Sequence, residues 1–287
     1  MRARPSEYEL VAPGKLDAVL ALLASGPGEW MPIAGGTELM VQYGAGRLSA
    51  RKLVSLWGVP ELRRIESTAQ ELLIGAGCTY TDLRNHPLVT REFPLLARAA
   101  SWTGSIANQN RGTLGGNIVN GSPAADSLPA LLVYEADLVL LSARGQRRIP
   151  YVEFHTGYKK SKLAADEIIS AIVLKPQFAG YYSYSRKVGT RNAQAIAKLC
   201  LAGLGKIGAN GIEDVRLAIG SMAVTPLRLR RTEEALRGRA WSPALAREAR
   251  QSLEAEVAPI DDIRSSAAYR LQVAGNLLLE FLEGLAA

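Results

Sequence analysis

Two glycine-rich stretches, Pro32-Ile33-Ala34-Gly35-Gly36-Thr37-Glu38-Leu39 and Thr113-Leu114-Gly115-Gly116-Asn117, carry the strongest structural signal in this sequence. Each combines a Gly-Gly pair with a threonine. In the first, a predicted short strand at residues 31–34 leads directly into Gly35-Gly36-Thr37. Glycine permits positive φ and lets backbone N–H groups approach an open surface. Successive N–H groups that point inward form a nest for anionic oxygens. The two stretches together predict two facing nests, which would suit a diphosphate.

Other interpretations of these stretches remain open. A Gly-Gly pair is often only a tight turn, and no Gly-Lys-Ser/Thr or Gly-x-Gly-x-x-Gly pattern follows, so neither a P-loop nor a Rossmann nicotinamide site is indicated. The polar run after the second stretch ends at Asp126. Its carboxylate either caps the helix predicted from Ser127 or accepts hydrogen bonds from ribose or ribityl hydroxyls.

Composition excludes several classes of protein. The chain has 287 residues, with only two cysteines and two histidines. An iron–sulfur cluster needs about four thiolates, so neither a cluster nor a Cys-rich zinc site is expected, and we predict no metal ligands. The cysteine count also excludes a disulfide framework, which indicates a reducing compartment. We expect buried thiols at Cys78 and Cys200.

Charge and hydropathy indicate a cytoplasmic protein without a membrane span. The N-terminal Met1-Arg2-Ala3-Arg4 is followed by no apolar stretch, so it is not a secretory signal. No apolar run approaches the roughly 18 residues of a spanning helix. The net charge of +7 is evenly spread, which argues against nucleic-acid binding. The alternating arginines at 227–231 indicate a solvated strand or the start of a helix. The lysines at 159–162 indicate an exposed loop, which could alternatively contact a partner subunit or an acceptor dinucleotide.

The periodicity predicts an α+β chain in two parts. Before a linker at 176–180, strands are predicted at 53–56, 71–76, 138–141 and 168–174, and helices at 15–24, 94–102 and 127–135. Residues 103–126 hold five glycines and four asparagines and predict a long functional loop. After the linker, three strands at 181–188, 197–207 and 215–222 predict an antiparallel sheet with a hairpin turn at 208–211. Helices follow at 232–236, 243–254 and 265–285.

Four motifs in order resemble the FAD-binding medium subunits of molybdenum hydroxylases, the family of xanthine and carbon monoxide dehydrogenases. The first two are Ala34-Gly35-Gly36-Thr37-Glu38-Leu39 and Thr113-Leu114-Gly115-Gly116-Asn117 with Ser122-Pro123-Ala124-Ala125-Asp126. The others are Phe154-His155-Thr156-Gly157-Tyr158 and Arg186-Lys187-Val188-Gly189-Thr190. The resemblance covers essentially the whole chain.

The resemblance implies a fold and a domain division. Residues 1–176 would form an FAD-binding domain of the vanillyl-alcohol-oxidase (PCMH) type, with subdomains at about 1–57 and 58–176. Residues 177–287 would form the C-terminal domain of the carbon monoxide dehydrogenase flavoproteins, a small α+β unit with the three-stranded antiparallel sheet and the helices.

The resemblance also implies the cofactor contacts. The segments 32–39 and 113–117 would hold the FAD pyrophosphate with backbone N–H groups. Asp126 would bind sugar or ribityl hydroxyls, Ile169 would pack on the adenine or the flavin, and Lys187 would lie near the isoalloxazine ring. Thr103 would line the same site. Neither loop contains His or Cys, so FAD would be bound non-covalently, and no catalytic base or nucleophile is expected on this chain.

The implied function is electron transfer in a multi-subunit enzyme. The chain would pass electrons from iron–sulfur clusters through FAD to NAD, oxygen or a quinone. The 2Fe-2S clusters would lie on a small partner subunit and the molybdopterin on a large one. Two alternatives use the same loops. One is a free-standing flavin oxidoreductase with its own small substrate, and the other is a non-redox nucleotide-binding module.

Overall fold

The computed structural model describes residues 4–191 and 194–287. Met1-Arg2-Ala3, on which part of the targeting prediction rests, lie outside the described residues. The described chain is α+β, with three larger sheets and one two-stranded hairpin.

The N-terminal unit is a small parallel sheet. Its elements are β1 (Glu9–Val11), α1 (Leu16–Ser25), β2 (Trp30–Ile33), α2 (Leu39–Gly44) and β3 (Lys52–Ser55). The strand order is β1-β3-β2, with both pairs parallel. Parallel neighbours need crossover connections, and the β2–α2 crossover contains the first glycine stretch. Val19 and Leu23 of α1 pack in the core of this unit with Val54 of β3.

The middle unit is an antiparallel five-stranded sheet covered by short helices. Its order is β4-β5-β10-β6-β7. Its elements are β4 (Ile65–Ser67), β5 (Leu72–Gly75), α3 (Tyr80–Asn85), α4 (Pro87–Glu92), α5 (Pro94–Trp102), α6 (Ile106–Gln109), α7 (Leu114–Asn120), α8 (Leu128–Val133), β6 (Asp137–Ser142), β7 (Gly145–Pro150), β8 (His155–Gly157), β9 (Lys160–Ser161) and β10 (Ile168–Leu174).

Local signals explain where several of these helices begin. Thr79 and Asp82 form a reciprocal capping box at α3, which satisfies two backbone donors that a helix start leaves free. Pro87 and Pro94 begin α4 and α5, where proline loses no hydrogen bond.

The C-terminal unit is an antiparallel sheet between helices. Its order is β11-β12-β13-β14. Its elements are β11 (Tyr182–Val188), β12 (Leu199–Gly208), β13 (Gly211–Gly220), β14 (Leu227–Arg228), α9 (Arg230–Leu236), α10 (Pro243–Glu256) and α11 (Ala267–Ala286). All three predicted strands form, but β13 begins at Gly211 rather than at 215, and the short strand β14 makes the sheet four-stranded instead of three-stranded. The hairpin turn predicted at 208–211 joins β12 and β13.

The middle and C-terminal units share a hydrophobic core. Ala202, Leu204 and Ala218 of the C-terminal sheet pack in the same buried cluster as Leu131 of α8. The segment predicted as a linker also belongs to this core, because Phe178 is buried and its ring lies 5.3 Å from that of Tyr181. The boundary between the two units is therefore packed.

Two further predictions can be compared with the described residues. Cys78 and Cys200 are both buried free thiols, as expected. Burial raises the pKa of Cys78 to about 12 and also raises the pKa of Cys200.

Within 4–191 and 194–287, no helix has the length and apolarity needed to cross a membrane, and no group of three or more His, Cys, Asp or Glu side chains could hold a metal ion.

Candidate functional site

A long cleft runs between the three units and receives residues from all of them. Its volume is about 1430 Å³, which exceeds the roughly 300–1,000 Å³ of pockets for drug-sized ligands and suits a dinucleotide. The walls come from the β2–α2 loop, the start of α7, the β8–β9 hairpin and the first residues of β10. The C-terminal unit adds the segments at 194–197 and 221–224.

The cleft collects most of the predicted site residues. The predicted residues that line it are Pro32, Ala34, Gly35, Gly36, Thr37, Glu38, Leu39, Thr103, Thr113, Gly115, Gly116, Asn117, Asp126 and Ile169. Three predicted residues do not line it. Ile33 lies outside the wall, Leu114 is fully buried in the core, and Lys187 contacts the wall from behind through Asp126.

The first glycine stretch is an open nest of backbone donors. Among the described residues, no backbone or side-chain oxygen accepts a hydrogen bond from the N–H groups of residues 34–39. Gly36 has φ +75°, in the left-handed region that favours glycine. A Cβ on Gly35 would overlap the carbonyl oxygen of Arg111, so this loop packs against backbone where a side chain cannot fit. The loop therefore presents free donors to the cleft.

The second glycine stretch is not the open nest that the sequence predicted. It is the first turn of α7, with Thr113 as N-cap accepting from Gly116. Leu114 and Gly115 donate to the carbonyls of Cys78 and Ala76. Asn117 donates its backbone N–H to Thr113. These four N–H groups are already paired, two with the segment after β5 and two with Thr113 at the helix start. Thr113, Gly115, Gly116 and Asn117 can instead offer packing surface and carbonyl or side-chain groups.

The predicted long loop at 103–126 also differs from expectation. It contains the short helices α6 and α7. Side-chain caps stabilise both starts, Ser105 at α6 and Thr113 at α7. Such helices owe their stability to caps and packing, which periodicity does not reveal.

A buried ion pair joins the two sides of the cleft. Lys187 Nζ of β11 lies 2.7 Å from Asp126 Oδ2 and 2.9 Å from the carbonyl oxygen of Trp102. Both side chains are more than nine-tenths buried. Asp126 does not cap α8. The N-cap residue of this helix is Ser127, which makes no side-chain capping hydrogen bond, and the Asp126 carboxylate pairs with Lys187 instead. Lys187, although it lies on the edge strand β11, is therefore enclosed.

The second oxygen of Asp126 has no partner. Oδ1 is buried and accepts no hydrogen bond from residues 4–191 or 194–287. Buried acceptors are nearly always paired, and this one belongs to a residue of the cleft wall. A ligand hydroxyl or N–H group could supply the missing donor.

We expect the Asp126 carboxyl of the FAD-free chain to titrate near neutrality. Burial raises its pKa to about 6, although the charge and hydrogen bond of Lys187 lower it. The folded chain then holds this proton more tightly than the unfolded chain. The contribution of Asp126 to stability is therefore greatest below about pH 4 and is lost as the pH rises through 6. Carboxyl carbon NMR of ¹³C-labelled protein should show this midpoint, and Asp126→Asn should remove that resonance.

Asp262, a second carboxylate of the same cleft, is the internal control. Burial alone would raise its pKa, but the backbone N–H of Arg264 and the guanidinium groups of Arg264 and Arg270 outweigh burial and lower it to about 2. A midpoint for Asp126 as low as that of Asp262 would contradict the assignment.

Ile169 and Thr103 both line the cleft. Ile169 is buried near the start of β10, and its edge forms part of the cleft wall. The Thr103 hydroxyl, just after α5, donates to the carbonyl of Ala99 at 2.9 Å. Sequence reasoning missed a further set of cleft residues, which lie in connections whose approach depends on tertiary structure. They include Tyr158, Lys159, Ile196, Val224, Ile260 and Arg264.

The comparisons with known proteins agree with this geometry. Residues 6–176 match the model of the FAD binding domain in molybdopterin dehydrogenase, and residues 184–285 match the CO dehydrogenase flavoprotein C-terminal domain. The xanthine dehydrogenase FAD-binding subunit of Escherichia coli is 32% identical over 254 residues, covering 88% of this chain and 87% of that one. The carbon monoxide dehydrogenase medium chain of Hydrogenophaga pseudoflava is 29% identical over 279 residues, covering 96% and 95%.

A solved structure shows the same fold over nearly the whole chain. The carbon monoxide dehydrogenase from Hydrogenophaga pseudoflava that lacks the Mo-pyranopterin moiety of its cofactor superimposes with a TM-score of 0.93 at 28% identity, covering 98% of each chain. An α+β flavoprotein with a dinucleotide-sized cleft is the class that fold and site define. The chain belongs to the FAD-binding medium subunits of the molybdenum hydroxylases, and it is an oxidoreductase subunit.

The cleft fits the FAD that this family implies. The free N–H groups of residues 35–38 suit phosphate oxygens, and the unpaired Asp126 Oδ1 suits a hydroxyl donor. Ile169 adds apolar surface for an aromatic ring. Donors, acceptor and apolar wall are thus present in one continuous space.

Proposed function

We propose that this chain is the FAD-carrying electron-transfer subunit of a multi-subunit molybdenum hydroxylase. The observation that carries the proposal is the open N–H nest at 35–38, in the same cleft as the unpaired Asp126 oxygen. FAD, when bound, supplies the redox chemistry that connects iron–sulfur clusters on a partner subunit with an external acceptor, which would be NAD, oxygen or a quinone. The protein is proposed to act in the cytoplasm.

The proposed partners follow from the relatives. The Hydrogenophaga pseudoflava relative is named as the medium chain of its enzyme, and a related medium chain belongs to the glyceraldehyde dehydrogenase of Sulfolobus acidocaldarius. We propose a small subunit with 2Fe-2S clusters and a large subunit with molybdopterin for this chain as well. The large subunit would hold the substrate.

The proposed domain division follows the sheets. Residues 1–176 would form the FAD-binding domain of the PCMH type, split at about residue 57, and residues 177–287 would form the C-terminal domain. The cleft between them would let FAD contact both.

The residues of this chain would bind and orient FAD. The N–H groups of Gly35, Gly36 and Thr37 would hold the diphosphate, and Thr113, Gly115, Gly116 and Asn117 would form part of the cleft wall around FAD. Asp126 would accept a hydrogen bond from a sugar or ribityl hydroxyl. Ile169 and Thr103 would line the ring system. Lys187, paired with Asp126, would hold that carboxylate in the cleft wall and lie near the flavin.

The proposal is tested by flavin uptake. The purified 287-residue chain is expected to bind about one FAD per chain, with visible flavin absorbance, and to release all of it on acid precipitation. A folded chain that takes up no FAD would overturn the proposal and favour the nucleotide-binding alternative. Flavin retained after precipitation would overturn non-covalent binding.

Isolation of the tagged chain from its native cells tests the partners. We expect molybdenum and iron to co-purify with two further polypeptides. A flavin-loaded chain without either metal would favour the free-standing flavin oxidoreductase.

A further inference from the structure

The hairpin between β8 and β9 brings one lysine to the mouth of the cleft. Gly157 and Lys160 pair across the hairpin, so Tyr158 and Lys159 form its two-residue loop. Both loop residues line the same cleft as the N–H nest. Lys160, the next residue, does not line it.

The backbone of Lys159 is unusual for a lysine. Its φ is +51°, in the left-handed region where glycine or asparagine is usual. Residues other than glycine are strained there, and such strained positions concentrate at functional sites. Glycine would adopt this backbone conformation without strain. The presence of lysine at this position therefore points to a function of its side chain.

Lys159 forms a weak ion pair with one of the carboxylates around the cleft. The other carboxylates of the cleft have strong partners, such as Lys187 for Asp126 and Arg147 for Glu167. Lys159 Nζ lies 3.8 Å from Glu38 Oε1, with the two side chains 44% and 45% exposed. Exposed ion pairs contribute little to stability. A more highly charged anion could therefore replace Glu38 as the ion-pair partner of Lys159 with little loss of stability.

We propose that Lys159 is a further FAD-binding residue, which leaves Glu38 and pairs with the diphosphate held on the N–H groups of residues 35–38. The contact with Glu38 places the ammonium group beside that nest. Backbone donors supply hydrogen bonds but no full charge, and Lys159 supplies the positive charge that the diphosphate lacks on this side. The inference rests on the proposed binding of FAD by this chain.

The test measures the dissociation constant of FAD for the full chain by fluorescence titration. Lys159→Gln and Lys159→Gly are expected to raise it by about tenfold, the size of one charge-assisted hydrogen bond. Added salt should weaken FAD binding less in these variants than in the wild type. Lys159→Gly should also leave the melting temperature of the FAD-free chain unchanged or higher, because glycine removes the strain. Lys160→Gln is the matched control and should bind FAD as the wild type does.

The Glu38→Gln variant separates binding from a structural role of the ion pair. It keeps the backbone N–H of residue 38 but removes the partner of Lys159 and one negative charge beside the nest, so FAD should bind more tightly than it does to the wild type. Wild-type affinity in Lys159→Gln, or an equal loss in Lys160→Gln or Glu38→Gln, would overturn the role of Lys159. Failure of the wild-type chain itself to bind FAD would overturn the proposed function instead.

Discussion

Gly36→Val is expected to abolish measurable FAD binding while the chain stays folded. Valine disfavours the φ of +75° at this position, and its side chain would crowd Met40 Cγ, which lies 3.2 Å from an ideal Cβ. The loop would relax by turning its free N–H groups away from the cleft. Loss of two hydrogen bonds to a charged diphosphate, at about 1.5–3 kcal/mol each, weakens binding by at least about a hundredfold. Fluorescence titration with FAD measures the effect, and circular dichroism checks the fold.

Gly44→Ala is the matched control in the same segment. Gly44 ends α2, and an added Cβ there meets no atom within 4 Å. Alanine should leave FAD binding unchanged and favour the helix slightly. If Gly36→Val binds FAD like Gly44→Ala, the open nest is not the diphosphate site. A variant at Gly116 would not test a nest, since Gly116 lies within α7 and donates to Thr113.

Arg228→Met is expected to destabilise the chain strongly. Arg228 and Glu233 form a buried ion pair with side chains 4% and 2% exposed. Arg228 also donates to the carbonyl of Leu132 in α8 at 3.0 Å, across the unit boundary. Without Arg228, the buried Glu233 carboxylate keeps the partly exposed Arg237 as its charged partner. Removing one partner of a buried pair costs about 3–5 kcal/mol. The melting temperature should fall on the order of 10 °C, as measured by calorimetry on the FAD-free chain.

Two further variants define the origin of this loss. Arg239→Met breaks the exposed pair with Glu248 and should change stability by no more than about 1 kcal/mol. The double variant Arg228→Met/Glu233→Gln removes both charges, keeps an acceptor for the buried backbone N–H of Leu217, and should recover much of the loss. Equal destabilisation by Arg228→Met and Arg239→Met would show that burial of this pair has no special role.

Elements with local signals were predictable from the sequence. The helix at Pro94–Trp102 and the strand at Ile168–Leu174 have the bounds that were expected. Pro94 sets the start of the first, and an apolar run with β-branched residues defines the second. The short strand β1 and the helix α2 were missed, because three to six residues carry too little periodicity.

The errors have a common physical origin in tertiary contacts. Arg228 was expected to be solvated with its neighbouring arginines, but it is buried against Glu233 and Leu132. Whether a charge is buried depends on partners that an alternating pattern does not specify. The second Gly-Gly stretch looked like the first, but its N–H groups are paired with Thr113 and with the segment after β5.

The candidate site was predicted mainly through the resemblance to a family. Most of the residues that it implied line the cleft, including Asp126 and Ile169. It did not show that Asp126 and Lys187, 61 positions apart, form a pair. Nor did it single out Lys159, because its approach to Glu38 depends on how the β8–β9 hairpin folds over the cleft.

The apolar cluster that joins α8 to Ala202, Leu204 and Ala218 makes the two larger units cooperative. Neither can unfold without exposing surface that the other normally covers, so both should lose structure in a single transition. A peptide-bond break near Phe178 would leave two fragments that still adhere to each other. Because this packing is between protein side chains, the cleft walls formed by these two units should keep their spacing in the absence of FAD. Little entropy would then be lost in ordering the walls when FAD binds.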